Sequence, residues 1–231
     1  MNIQDLFRIV RERNPLLWQP REERLSMKVT DEHVSAFVAI ASELIPKVRG
    51  SKGFVVDNFN RDVVRRLTAY SLGSQEGEST PEPLDVVKGL YLYGRVGTGK
   101  TLLLETVKLF TAFFSTNDTF RIREASAIAR EVLETGQSSW SDQQGLAKSV
   151  GYDDLGNEPL KIVRYGSQIM PMAMEICARY GSWQKQGVRT HFTSNFDMKW
   201  VEENYGRREA SRIMDMCNII ELKAERDRRT K

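Results

Sequence analysis

The sequence has very little cysteine and histidine. Its 231 residues include two cysteines, Cys177 and Cys217, and two histidines, His33 and His191. The cysteines are far apart in the chain, and neither belongs to a Cys-x-x-Cys pair. A disulfide framework needs more cysteines, and a structural zinc site needs several closely spaced cysteine or histidine ligands. The sequence therefore argues against both, and a reducing compartment fits it best.

Long apolar runs are also absent. No stretch approaches the roughly 18 consecutive apolar residues of a membrane-spanning helix, and the charged start of the chain is not followed by the apolar core of a signal peptide. We therefore expect no membrane association and a cytoplasmic location. With 40% hydrophobic residues and a formal charge of only +3, the composition is typical of a globular protein that does not bind nucleic acid by charge alone.

The first part of the chain predicts helices without strands. Residues 1–53 are interpreted as a helical N-terminal arm, a candidate for partner binding. One helix is predicted to begin after Thr30, a suitable N-cap, and to end at Pro46, and a second helix is predicted to bury apolar residues such as Val63. Residues 71–85 are rich in Gly, Ser, Pro and Glu, so they predict an exposed linker loop.

From residue 86 onward, predicted strands and helices alternate. The predicted strands are residues 86–94, 119–124, 148–152, 187–195 and 218–222. The predicted helices are residues 101–114, 125–134, a segment whose apolar face begins at Ile169 and includes Cys177, and two segments around 198–204 and 208–216. Such alternation is typical of an α/β fold in which helices sandwich a parallel sheet. We assign residues 54–231 to one domain of this kind.

A glycine-rich motif lies between the first predicted strand and the helix that follows it. It matches the pattern G-x-x-x-x-G-K-[ST] and consists of Gly94, Arg95, Val96, Gly97, Thr98, Gly99, Lys100 and Thr101, followed by Leu102. Glycines let backbone N–H groups curl around phosphate oxygens, and the start of a helix favours negative charge. Lys100 is expected to contact the β- and γ-phosphates, and the Thr101 hydroxyl is expected to bind Mg²⁺. The motif predicts ATP as a ligand.

Two further strand ends supply polar groups for the same chemistry. Asp153 and Asp154 follow the third predicted strand, where Asp153 would hold Mg²⁺ and Asp154 would orient or activate the attacking water. The alternative is an ordinary turn, because paired Asp before Gly is common in turns. Asn195 ends the fourth predicted strand, where its amide would contact the γ-phosphate or the water. As an alternative, Asn195 only caps the next helix.

Five motifs occur in a fixed order along the chain. They are Gly-Thr-Gly-Lys-Thr, Asp-Asp-Leu-Gly, Arg179-Tyr180, Thr-Ser-Asn and the segment from Tyr205 to Arg212. In this order they resemble the AAA+ ATPases of the DnaC and IstB kind, which are bacterial helicase loaders and ATPase helpers of transposases. The resemblance runs from about Phe54 to Arg229 and implies a P-loop NTPase core of the AAA+ kind. A short helical N-terminal arm before it and the lack of a full C-terminal lid domain after it are expected.

The resemblance also implies roles for individual residues. Asn195 takes the position of sensor 1, and Arg212 takes that of the arginine finger that acts on a neighbouring subunit, which implies a nucleotide-dependent homo-oligomer. A solvated basic helix end is the alternative for Arg212. Arg228 or Arg229 lies where a sensor-2-like arginine would act. Asp154 replaces the glutamate common in wider AAA+ enzymes, so slow or partner-stimulated hydrolysis is expected.

Three functions remain open at this point. The preferred one is an ATP-dependent replication factor that loads or remodels a replicative helicase on single-stranded DNA. The second is an ATPase helper of a transposase, and the third is a small-molecule kinase with the same P-loop. For direct DNA contact, the polar segment 135–148 is the candidate, with Trp140 expected to be exposed as a stacking platform.

Overall fold

A computed structural model describes Asp5, Arg8 and residues 27–46, 54–74, 82–114 and 119–224. The described residues form two compact units. One takes its residues from Met1–Val86, Gly97–Thr119 and Leu222–Lys231, and the other from Val87–Val96 and Phe120–Glu221. Most of the predicted N-terminal arm lies outside the described residues, as do Arg228 and Arg229. The predicted domain boundary after residue 53 stays a prediction.

The first unit is helical. Its elements are α1 (Asp31–Ala39), a π-helical stretch (Ile40–Leu44), α2 (Arg61–Leu72) and α3 (Lys100–Phe114). Thr30 caps α1 as predicted, because its hydroxyl accepts from the His33 N–H while His33 Nδ1 accepts from the Thr30 N–H at 3.0 Å. Burial lowers the pKa of His33 to about 4, so the ring is neutral and able to accept. Phe37 packs on Phe110 with ring centroids 5.5 Å apart.

The predicted linker 71–85 is too long at both ends. Helix α2 continues to Leu72, which is fully buried, and ends at Gly73 in the left-handed conformation that favours glycine. The Ser74 hydroxyl donates to the Met27 carbonyl at 2.5 Å, and Leu84 is also buried. The prediction was wrong at these ends because it rested on the polar composition of the segment, which does not reveal tertiary contacts. Residues 75–81 lie outside the described residues.

The second unit contains a five-stranded parallel sheet, which confirms the predicted α/β fold. The strands of this unit are β1 (Gly89–Tyr93), β2 (Arg121–Glu124), β3 (Val150–Leu155), β4 (Ile162–Arg164), β5 (Ser167–Ile169), β6 (Thr190–Ser194) and β7 (Cys217–Glu221). The sheet order is β2-β3-β6-β1-β7. All of β6 and most of β1 are buried, as expected for central strands that helices cover on both faces.

Five helices accompany this sheet. They are α4 (Ala125–Thr135), α5 (Gln143–Leu146), α6 (Pro171–Gln186), α7 (Met198–Tyr205) and α8 (Arg207–Met216). Helix α6 begins at Pro171, a residue favoured in the first helical turn, and not at Ile169 as predicted. Ile169 instead belongs to an antiparallel hairpin, β4–β5, that the sequence analysis did not predict, and Cys177 is exposed.

The prediction of an exposed Trp140 is wrong. Its side chain is 3% exposed and meets the Tyr152 ring edge-on at 5.3 Å. The cause is Arg179 on α6, a fully buried residue whose guanidinium donates to the carbonyls of Trp140, Gly145 and Lys148 at 2.5 to 3.0 Å. The guanidinium also donates to the Tyr152 hydroxyl at 3.1 Å. Arg179 therefore folds the 135–148 segment inward.

Removing this guanidinium should destabilise the protein. In an Arg179→Met variant the buried carbonyls of Trp140 and Gly145 and the partly buried carbonyl of Lys148 lose a donor, and each unsatisfied buried group costs about 1–3 kcal/mol. We expect the free energy of unfolding, measured by urea denaturation, to fall by about 3 kcal/mol. Arg130→Met, on the exposed side of α4, is the matched control and should change it little. Equal stability of both variants would show that the buried network is not a major support of the fold.

Among the described residues, no helix combines the length and the apolar character that crossing a bilayer requires.

Candidate active site

Three neighbouring strands, β1, β3 and β6, end at the same edge of the sheet. The register pairs Tyr93 on β1 with Ser194 on β6, and Leu155 on β3 with the same Ser194. The Gly94 N–H donates to the Ser194 carbonyl at 3.3 Å. The start of the glycine-rich loop, the paired acids and Asn195 therefore lie at one carboxyl edge of the sheet, the edge where parallel α/β folds bind ligands.

The glycine-rich loop joins β1 to α3. Its turn requires glycine at two positions, because Gly97 has φ 82° and Gly99 has φ 94°. A Cβ on Gly99 would also lie 3.2 Å from the Phe54 ring. Arg95 and Val96 are exposed; Thr98 and Lys100 are buried; Thr101 and Leu102 are half-buried. Helix α3 starts at Lys100, directly after the loop, so the positive end of the helix dipole lies at this end of the loop.

Asp153 and Asp154 lie within β3, which continues to Leu155 and does not end at residue 152 as predicted. The pairing with β6 shifts between Tyr152 and Leu155, so the two acids form an irregularity in the strand. Asp154 has φ 57°, a left-handed conformation that is uncommon outside glycine. Bulges and strained residues of this kind re-aim side chains next to functional sites.

Thr193 fixes both acids and was missed as a functional residue. Its hydroxyl donates to Asp153 Oδ1 at 2.5 Å and accepts from the Asp154 N–H at 2.9 Å. Thr193 is fully buried on β6, two positions before Asn195. The Thr-Ser-Asn motif could have indicated this role, because a hydroxyl next to a strand end can reach the neighbouring strand. The side chain of Asp153 is therefore oriented by β6.

Asn195 directly follows β6 and is half-buried. The cap of α7 is Asp197, whose carboxylate accepts from the Trp200 N–H at 2.9 Å. The alternative that Asn195 only caps the next helix is therefore wrong. The neighbouring Phe196 ring stacks on Trp200 with centroids 3.9 Å apart. This stack covers Gly156, where a Cβ would lie 2.7 Å from the Phe196 ring.

A buried carboxylate links the loop after β3 to the end of α7. Glu158 accepts from the Gly156 N–H at 2.8 Å and from the Tyr205 hydroxyl. Burial, and then the nearby Glu158 carboxylate, raise the pKa of Tyr205, so its hydroxyl stays protonated and donates. Tyr205 is followed by Gly206 and α8, so the loop next to the paired acids is tied to the helix of Arg212.

Arg212 is held within its own chain. Its side chain is 12% exposed, its guanidinium lies 3.4 Å from a Glu209 carboxylate oxygen, and it lies 5.5 Å from the centroid of the Tyr180 ring. The Tyr180 hydroxyl donates to Asp215 at 2.7 Å, a bond that raises the pKa of Tyr180. Arg207 and Arg208, by contrast, are exposed. The alternative of a solvated basic helix end thus fits Arg207 and Arg208 better than Arg212.

The predicted site residues fall into both compact units. Lys100, Thr101 and Leu102 belong to the first unit, and Asp153, Asp154, Asn195 and Arg212 belong to the second. The described residues include no group of three or more His, Cys, Asp or Glu side chains that could hold a metal ion.

The parallel sheet, the glycine-rich loop between β1 and α3, and the position of the acids on β3 together form an AAA+-like α/β fold of the P-loop kind. Solved structures confirm this fold. DnaI matches with a TM-score of 0.51 and 23% identity, over 76% of this chain and 87% of that one. The DnaC helicase loader matches with a TM-score of 0.54 and 14% identity, over 74% and 93%.

A third solved structure is the replication initiator DnaA bound to AMPPCP and single-stranded DNA. It matches with a TM-score of 0.53 and 16% identity over 76% of this chain, which spans about half the length of that protein. No protein-family model and no curated protein matches the sequence. The resemblance to AAA+ proteins of the DnaC type is therefore confirmed at the level of the fold.

Proposed function

We propose that this protein is an ATP-hydrolysing, DnaC-like replication factor that loads or remodels a replicative helicase on single-stranded DNA. The observation that supports it best is the common end of β1, β3 and β6, which gathers the start of the P-loop, the paired acids and Asn195 at one edge. The proposed partners, a helicase and single-stranded DNA, are taken from the DnaC helicase loader and from DnaA, which share this fold.

In this proposal the P-loop binds the ATP phosphates. The backbone N–H groups of residues 94–99 and of the first turn of α3 donate to phosphate oxygens, and Lys100 neutralises the β- and γ-phosphates. The positive φ angles of Gly97 and Gly99 allow successive N–H groups to point to one side. Arg95, Val96, Thr98 and Leu102 contribute through their backbone.

The available side chains fit Mg²⁺. Thr101 offers a hydroxyl oxygen and Asp153 a carboxylate oxygen, the hard ligands that this ion prefers. Few protein ligands are expected, because Mg²⁺ at nucleotide sites keeps waters and phosphate oxygens as its other ligands. Mg²⁺ would neutralise charge that develops on the phosphates. Thr193 holds the Asp153 carboxylate in one orientation, so the metal ligand needs no reordering before binding.

Hydrolysis is assigned to the other two groups at the sheet edge. Asp154 accepts a proton from the attacking water or orients it, and the Asn195 amide contacts the γ-phosphate or that water. The irregular strand supports the assignment, because Asp154 has the left-handed conformation while Asp153 has its carboxylate on Thr193. Two adjacent acids can in this way perform different tasks.

Arg212 is proposed to complete the site of a neighbouring subunit. An arginine that approaches the γ-phosphoryl group from outside stabilises the charge of the transition state, so turnover depends on assembly. For this, the guanidinium must leave Glu209 and Tyr180, its contacts within the chain. Because these contacts would compete with the γ-phosphoryl group of the neighbouring subunit for Arg212, turnover would stay slow until subunits assemble on DNA or on the helicase.

Replacing Arg212 should separate ATP binding from assembly-dependent turnover. Arg212→Ala is expected to bind ATP as tightly as the wild-type monomer does. Its turnover per subunit should no longer rise with protein concentration, so at the highest concentration it should be at least about 100-fold below that of the wild type. Arg208→Ala, on the exposed part of the same helix, is the matched control. A wild-type turnover per subunit that does not change with concentration would count against a shared site.

The whole proposal is tested by measuring ATP turnover against protein concentration, with and without single-stranded DNA. A partner pull-down with a replicative helicase and with a transposase then separates helicase loading from transposase assistance. Absence of ATP turnover in every condition, including with both partners, would contradict the proposed function.

A further inference from the structure

The tip of the β4–β5 hairpin exposes an aromatic ring. Tyr165 is 90% exposed, and Val163 beside it is also exposed. The other residues of the tip, Gly166 and Ser167, are small and exposed. The hairpin thus presents a tyrosine ring to solvent, where its apolar surface gains nothing from burial in the fold.

The backbone at this tip is unfavourable for tyrosine. Tyr165 has φ 49° and Gly166 has φ 79°, the two positive values of a two-residue hairpin turn that prefers Asn-Gly. A bulky residue in the left-handed region is a genuine outlier, and strained residues of this kind cluster at functional sites. Tyrosine therefore does not stabilise the turn at position 165. A role for its ring in binding would explain why a tyrosine occupies this position.

One arginine anchors the hairpin and supports the ring. The Arg164 guanidinium donates to the carbonyls of Leu133 and Glu134 at 3.2 and 3.5 Å, near the C-terminal end of α4. Its central carbon lies 4.6 Å from the centroid of the Tyr165 ring. Gly136 makes room for this, since a Cβ there would lie 2.2 Å from the guanidinium. The base of the hairpin is fixed while the ring stays open to a ligand.

The charge of the surrounding segment favours a polyanion. The chain has no acidic residue between Glu158 and Glu175, while Lys161 directly precedes the hairpin and Arg164 lies on it. Lys161 is exposed. An exposed ring next to positive charge is the arrangement with which proteins bind unpaired bases and their phosphates.

We propose that Tyr165 is a stacking platform for a base of single-stranded nucleic acid, with the exposed Lys161 contacting its phosphates and Arg164 supporting the ring from within the fold. This inference rests on the proposed function and gives it a specific DNA-contacting element. It replaces Trp140, which is buried, as the aromatic that contacts DNA. Stacking tolerates any base, so binding is expected to show little sequence preference.

The test measures the affinity of the full chain for a fluorescent oligothymidylate of roughly 20 nucleotides, a length that spans typical single-strand sites. The change is Tyr165→Asn, because asparagine suits the left-handed backbone and should not lower the unfolding midpoint. We expect affinity to fall about 5- to 150-fold, the loss that corresponds to one stacked base. Tyr165→Phe keeps the ring and should retain wild-type affinity. Phe59→Ala, which removes another exposed ring, is the matched control.

Two results would overturn the inference. One is an equal affinity of Tyr165→Asn and wild type, and the other is a wild type that does not bind the oligonucleotide with or without ATP. ATP turnover without DNA, measured on the same samples, keeps the two proposals apart. Turnover that persists in Tyr165→Asn together with lost DNA affinity supports the inference. Normal turnover without any effect of Tyr165 on DNA affinity overturns the inference alone and leaves the ATPase proposal standing.

Discussion

Lys100→Ala is expected to abolish tight binding of ATP and to lower turnover by at least about 100-fold, the loss typical when a donor that stabilises developing charge is removed. The ammonium group is proposed to be the main positive charge at the β- and γ-phosphates. Lys100 is also the first residue of α3, so it lies at the end of the helix where the dipole favours negative charge. Titration with a fluorescent ATP analogue measures the affinity directly.

The matched control is Lys108→Ala, which removes a half-buried lysine of the same helix outside the motif. It should bind ATP as the wild type does. Because alanine is a strong helix former, neither change should unwind α3. Wild-type turnover in Lys100→Ala would show that residues 94–101 do not bind the nucleotide, and the proposed function would then lack its basis.

The P-loop could be predicted from the sequence because the interactions that shape it are between residues close together in the chain. Its glycines, its lysine and the start of α3 are neighbours in the chain, so a short pattern describes the whole element. Strand β1 could be predicted for a similar reason, since it is buried and mostly apolar over its own length. The bounds of β3 were less certain because Lys148, Ser149 and Gly151 dilute its apolar pattern.

Other features depend on contacts between distant residues. Trp140 is buried because Arg179, 39 positions further along the chain, donates to its carbonyl. The β4–β5 hairpin has only three residues in each strand and a turn with tyrosine where asparagine would be expected. The sequence therefore lacks the usual pattern that predicts a hairpin. The irregularity at Asp153 and Asp154 depends on Thr193 across the sheet.

These contacts also suggest how the site residues are connected. The loop after the paired acids is tied through Glu158 to Tyr205, and Tyr205 is separated from the first residue of α8 by Gly206 alone. Arg212 lies on that helix and is paired within its own chain. A shift of α8 that releases Arg212 would therefore act on the loop beside Asp154. This connection offers a physical route by which assembly could change hydrolysis.

Asp154→Asn is expected to retain ATP and to lower hydrolysis by about 100- to 10,000-fold, the contribution typical of general acid–base groups. Asparagine is well suited to the left-handed backbone at this position, and the N–H that donates to Thr193 is kept. The fold should therefore persist, so a loss of turnover would report chemistry and not unfolding. Phosphate release under saturating ATP, together with analogue binding, measures the two effects separately.

Two comparisons sharpen this prediction. Glu203→Gln makes the same change from carboxylate to amide at an exposed position on α7 and should leave turnover unchanged. Asp153→Asn should instead weaken nucleotide binding in a manner that added Mg²⁺ partly restores, because its proposed role is to hold the metal. If Asp154→Asn lost binding and turnover equally, Asp154 would be a metal ligand or a structural residue. Asp153 would then be the acid to test as the base, since Thr193 already fixes its carboxylate at the same edge of the sheet.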